Sequence, residues 1–145
     1  MRLSLPQPYE DLGHTADVGL RVRGATAEEA LGRLALAVGQ LVTGGAPVEP
    51  VREERFAVPG GPGLAGTAVA LLRELVWHLA TERLVPREIE VVRATPEGAE
   101  VVVGFGAHDP DLHAEGADVK AVTWHAARLE PDPAGGWVAQ IVLDV

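Results

Sequence analysis

The feature that most limits the fold is the order in which two periodicities alternate along the chain and then stop alternating. Apolar residues recur at helical spacing in two stretches, and everything after the second has the short runs or two-residue alternation of strands. The first helical stretch opens on Thr26-Ala27-Glu28-Glu29, the pattern of a capping box. There the Thr26 hydroxyl accepts from the amide three residues on and Glu29 reaches back. It places Ala30, Leu31, Leu34, Ala35, Val38, Leu41 and Val42 on one stripe, and Gly44-Gly45 ends it. The second runs from about Leu64 to Ala80, directs Ala68, Leu72, Leu75, Val76 and Leu79 inward, and has Pro86 close behind it.

Around these helices, strands are expected over 18–24, 48–58, 88–92, 99–105, 119–129 and 137–143. Residues 1–11 read as a loose entry segment and 106–118 as a polar loop. The order β-α-β-α-β-β-β-β implies an α+β domain, a mostly antiparallel sheet packed with two helices, with residues 1–145 as a single compact unit. No repeat or linker interrupts it.

Composition narrows the chemistry. With 47% hydrophobic residues in 145 the chain can build a core, yet no apolar run approaches the roughly 18 residues of a membrane span. Met1 to Pro6 is too short and proline-broken for a signal peptide, so a cytoplasmic protein without membrane contact is expected. Cysteine is absent, which removes disulfides, thiol catalysis and thiolate metal sites and leaves oxygen or imidazole as metal ligands. Twelve basic against 21 acidic residues give a net charge of −9. That balance disfavours nonspecific binding to nucleic acid and suits a hard cation or a basic protein partner.

Several segments are candidates for function. Gly61-Pro62-Gly63-Leu64-Ala65-Gly66 satisfies GxGxxG, but the flanking prolines and antiparallel context favour a glycine-proline loop over a nucleotide site. The loop His108-Asp109-Pro110-Asp111-Leu112-His113-Ala114-Glu115 holds metal-ligand types at spacings of neither an EF-hand nor an HExxH helix, so it reads first as a solvated acidic loop. Gly13-His14-Thr15-Ala16-Asp17-Val18-Gly19 puts an imidazole, a hydroxyl and a carboxylate at a strand entrance, either as a capped turn or as a site. At the other end, Asp144 and the main-chain carboxylate of Val145 place two hard oxygen ligands on adjacent residues, where the plain alternative is a solvated chain end. Pairing Glu130 with Gly136 across the last turn sets Val122 opposite Asp144. Lys120, the single lysine, is then a diagonal neighbour on the polar face, with Ala121, Leu129, Trp137, Ala139, Ile141 and Leu143 on the core face. A surface salt bridge is the plain reading of that pair. No Ser-His-Asp grouping or glycosidase-like carboxylate pair gives covalent catalysis any support.

Taken together, His14-Thr15-Ala16-Asp17-Val18-Gly19, Lys120-Ala121-Val122-Thr123-Trp124-His125 and the final Val142-Leu143-Asp144-Val145 resemble the motifs of the archease family, in the same order and over nearly the whole chain. Gly13 stands where an acidic residue commonly precedes the first motif. The resemblance implies an accessory protein with no catalysis of its own. Its partner would be an RtcB-type RNA-splicing ligase of tRNA processing, whose guanylylation and multiple turnover it promotes, with RNA engaged only through the ligase. It also implies a divalent cation, commonly calcium, held by Asp17, Asp144 and the Val145 terminus, with His14, Lys120 and His125 lining the site or meeting the partner. A metal-dependent phosphate hydrolase or nuclease is the alternative, and a general protein chaperone a third reading.

Overall fold

Helix α1 (Ala27–Thr43) is buried nearly all round because it lies between two four-stranded antiparallel sheets. The computed structural model describes residues 1–12 and 17–145. The strands are β1 (Arg2–Ser4), β2 (Glu10–Asp11), β3 (Asp17–Gly24), β4 (Pro50–Pro59), β5 (Leu84–Thr95), β6 (Gly98–Ala107), β7 (Ala121–Pro131) and β8 (Trp137–Asp144), with α2 (Gly63–Glu82) between β4 and β5. One sheet has the order β1-β5-β6-β4 and the other β2-β3-β8-β7. The expected α+β class and antiparallel pairing stand, with the strands divided between two sheets. The entry segment is more ordered than expected. Its two short strands pair with β5 and β3, one on each sheet.

Local chemistry explains the helix limits. The Thr26 hydroxyl accepts from the Glu29 amide at 3.1 Å, while the Glu29 carboxylate turns to Arg33 at 2.8 Å. Gly44, at φ 64°, closes α1 in the left-handed conformation that glycine adopts without penalty. α2 ends instead on Arg83 at φ 54°, whose amide reaches the Leu79 carbonyl, and β5 begins at once.

The expected apolar stripe of α1 is half of its buried surface. Leu31 and Leu34 lie on it, Leu36 and Ala37 lie off it, and all four are fully buried. The second face packs on β1 and β5, where a Cβ on Gly32 would stand 3.0 Å from Leu3 and one on Gly39 would stand 2.6 Å from the Pro86 carbonyl oxygen. The GxGxxG stretch has a packing role as well. A Cβ on Gly66 would lie 2.6 Å from the Gly61 backbone, and one on neighbouring Gly60 would lie 1.9 Å from the Pro96 carbonyl. These glycines let the loop lie against the β5–β6 turn.

Candidate functional site

The last hairpin is paired differently from the sequence expectation, and the difference builds the candidate site. Near the turn Glu130 pairs with Val138, not Gly136, and at the far end Ala121, not Val122, stands opposite Asp144. Between Thr123↔Val142 and Arg128↔Gln140, four residues of β7 (124–127) face the single residue Ile141. The three extra residues are odd in number, so they reverse which side chains face the core. Val122, opposite Leu143, is therefore the buried residue, and Ala121 is only half-buried on the other face.

Gln140 holds this wide bulge in place. Its side-chain amide donates to the Ala126 carbonyl at 2.9 Å, and Ala126 sits at φ 56°, a conformation unfavourable for a side-chain-bearing residue. Gln140 is buried in the middle of an otherwise apolar strand, Val138-Ala139-Gln140-Ile141-Val142-Leu143. A lone amide in such a run was the available sequence signal for an internal partner.

Residues far apart in the chain meet where β3 pairs with β8. Their register runs unbroken from Gly24↔Trp137 to Asp17↔Asp144, which sets the two aspartates directly opposite each other on one face. Leu12 fixes the approach to β3, since its amide donates to the Gly19 carbonyl at 2.8 Å and its side chain packs on Gly19. A hydrogen bond that the protonated Asp144 carboxyl would donate to Asp17, with desolvation and the neighbouring negative charge, holds the Asp144 carboxyl above the usual Asp range. Like charges directly opposite are unfavourable across strands.

Lys120 is not on that face as expected. The one-position change of register takes it out of phase with Asp144, and among the described residues no ion pair joins the two. Their link is through the backbone, where the Lys120 amide donates to the Asp144 carbonyl at 2.8 Å. His125 is exposed within the bulge, Val145 is 39% exposed, and His14 lies outside the described residues. Among the described residues no group of three or more His, Cys, Asp or Glu side chains gathers around one point in a metal-holding arrangement.

The histidine-rich loop uses its polar atoms internally. Asp109 Oδ1 accepts from the amides of Asp111 (2.9 Å) and Leu112 (3.3 Å). Buried His113 accepts the Asp109 amide at Nδ1 (2.9 Å) and donates from Nε2 to the Pro47 carbonyl (2.8 Å). His108 stacks on it at 5.4 Å, and burial, followed by the nearby His113 and Arg83, keeps the His108 pKa below the ordinary histidine value. The loop is a self-capped turn that seals the ends of both helices.

Comparison with known proteins places the chain in a family. Residues 9–145 match the Archease protein family (MTH1598/TM1083). The protein archease of Pyrococcus furiosus is 33% identical over 140 residues, covering 94% of this chain and 98% of its own. That of Methanopyrus kandleri is 33% identical over 141 residues, covering 95% and 99%. The solution structure of Methanobacterium thermoautotrophicum protein 1598 shares the fold with a TM-score of 0.66 at 23% identity, over 94% of this chain and 98% of that one. A Thermotoga maritima archease, described as a possible chaperone, gives 0.57 at 17% identity over 94% and 96%. With its family profile matched almost end to end and relatives a third identical over nearly the whole chain, this chain belongs to the archease family.

Proposed function

We propose that this chain is an accessory protein that activates an RtcB-type RNA-splicing ligase in tRNA processing, using a divalent cation, calcium, held by Asp17, Asp144 and the Val145 main-chain carboxylate. The observation that carries the reading is the Asp17↔Asp144 pairing and the raised affinity of Asp144 for a proton. A pair of carboxylates forced together by backbone pairing takes up either a proton or a hard cation, and hard cations favour oxygen donors of this kind. The donor set fits, since two aspartates supply oxygens on one face and the adjoining Val145 is exposed. When bound, the cation supplies positive charge that offsets the carboxylate repulsion.

The chain's own residues then do the rest. β3 and β8 fix the carboxylates on a rigid sheet end, and the Lys120 backbone bond ties the incoming loop to the same point. The ligase site handles guanylate and RNA phosphates and is therefore expected to be electropositive. A partner of net charge −9 with a carboxylate pair at one sheet end approaches such a site under favourable steering. The accessory role is in keeping with the description of the Thermotoga maritima archease as a possible chaperone. Among the described residues no helix is long and apolar enough to cross a membrane, in keeping with action in the cytoplasm beside the ligase.

Multiple-turnover RNA ligation by the cognate ligase, with and without this protein, tests the proposal. Activation by the wild type and its loss in Asp17→Asn and Asp144→Asn are expected. Undiminished activation by both variants overturns the site. Metal-dependent phosphate release by the purified chain alone favours the hydrolase or nuclease reading.

A further inference from the structure

Among the described residues four buried side-chain polar atoms have no hydrogen-bond partner: Arg21 Nε, Arg33 Nε, Glu54 Oε2 and Thr123 Oγ1. The first three belong to charged groups whose other atoms are in ion pairs, with Glu10 at 2.9 Å, Glu29 at 2.8 Å and Arg52 at 3.5 Å. Thr123 has a single polar side-chain atom, and that atom stands alone. Burying a hydroxyl without a partner costs its full desolvation, a cost that valine, of nearly the same shape, would avoid.

The strand register puts this hydroxyl beside the carboxylate pair. Asp17, Asp144 and Ala121 form one row across β3, β8 and β7, and Gly19, Val142 and Thr123 form the next row on the same face. Val142 is buried although it alternates with the core residues Ile141 and Leu143. Leu12 closes over Gly19, where an added Cβ would stand 3.0 Å from the Leu12 Cβ. The second row is therefore a dry floor, and Thr123 carries its one polar side chain. Thr123 is a diagonal neighbour of Asp144, about 7–8 Å away between backbones. A hydroxyl on so short a side chain does not touch the carboxylates across that gap, but one water spans it.

We infer that Thr123 is a positioning residue of the proposed cation site, its hydroxyl bonding the hydration shell of the cation that Asp17, Asp144 and the Val145 main-chain carboxylate hold. The inference rests on the proposed function. Calcium takes roughly six to eight oxygens, more than three groups give when each binds through one, so water fills the remainder. Water held at a second point is better ordered, and outer partners of this kind raise metal affinity. The dry floor strengthens that bond, because no bulk water competes for it. The buried hydroxyl in turn gains the partner that the fold withholds.

Two readouts of opposite sign test this: melting of the full chain in chelator, and calorimetric titration of the stripped chain with calcium chloride. Thr123→Val removes the hydroxyl and keeps the shape. In chelator it is expected to melt at or above the wild-type temperature, by up to roughly 3 °C, since an unpaired buried hydroxyl is gone. Its calcium dissociation constant is expected to rise roughly tenfold. Thr123→Ser keeps the hydroxyl and should bind calcium within about threefold of wild type. If Thr123→Val melts lower in chelator, the hydroxyl has a bond inside the fold. If it binds calcium as tightly as wild type, the hydroxyl lies outside the cation's shell. Either result overturns the inference and leaves the proposed function standing. Equal weakening in Thr123→Ser makes packing the cause and overturns it too. A wild type that binds no calcium removes the proposed cation site and this inference together.

Discussion

The two ends of the sheet β2-β3-β8-β7 use the same strands for opposite electrostatics. At the end near the last turn, Arg21 and Arg23 share Glu10 at 2.9 and 2.6 Å, and Arg23 also holds Asp132 at 2.9 Å. At the other end, four and six residues earlier on the same face of β3, Asp17 faces Asp144. One end is an interleaved set of opposite charges of the kind that decorates many solvated surfaces and contributes little. The other keeps like charges together at a cost, in a chain where nearly every arginine finds a carboxylate or carbonyl. Unfavourable local electrostatics held by well-paired backbone are what the proposed cation would offset.

Four outcomes sharpen or break that contrast. The largest concerns activity. Asp17→Asn and Asp144→Asn should each lower ligase activation by about tenfold or more, whereas Arg23→Gln at the opposite end should leave it unchanged. Equal losses at the two ends, measured in the same ligation assay, would erase the distinction.

Next comes the bulge that sets the register at the carboxylate end. Gln140→Ala removes the donor to the Ala126 carbonyl and should cost about 1–2 kcal/mol in chemical denaturation. Gln140→Glu exchanges that donor for an acceptor and should cost at least as much. A neutral result would mean that the bulge holds its shape without this bond.

The third is a difference of sign with pH. The Asp144 pKa is raised in the fold, so the folded state binds more protons than the unfolded one. Its contribution is fully present below the ordinary Asp value and is lost as pH rises through the raised value. Glu10 is held low by hydrogen bonds from Arg21 and then Arg23, and Asp132 by the Ala134 amide and then Arg23. Their contributions are present above the ordinary carboxylate values and are lost as pH falls through the lowered ones. Melting temperature against pH in chelator should therefore lose its acid-side advantage in Asp144→Asn, and calcium should stabilise the wild type most above the raised Asp144 value. A calcium response that persists in Asp144→Asn would move the cation elsewhere.

The smallest expected effect is that of the paired charges themselves. Arg23→Gln should shift the melting temperature by no more than roughly 2 °C near neutral pH, and less in high salt.

Much of the fold was legible because its determinants are local. The Thr26 cap, the Gly44 stop and the strand periods lie within a few residues of what they control, and helices and strands formed where those signals placed them. Other features were hidden for identifiable reasons. The second buried face of α1 depends on Gly32 and Gly39 meeting β1 and β5, a contact that no apolar stripe announces. Arg2–Ser4 and Glu10–Asp11 are strands only because neighbouring strands offer them free edges.

For the candidate site, the sequence by itself determined which groups are available. It supplied aspartates near each end, a single lysine, an acidic balance and no cysteine. Tertiary structure alone decided which of these meet. Asp17 and Asp144 are brought together by an eight-residue register between strands more than a hundred residues apart, and Lys120 is set out of phase by three inserted residues in β7. The physical reason is that strand pairing has a period of two. One residue of shift exchanges the faces, and the shift here accompanies a bulge bridged by a hydrogen bond from Gln140 to the Ala126 carbonyl, a partner fourteen residues away.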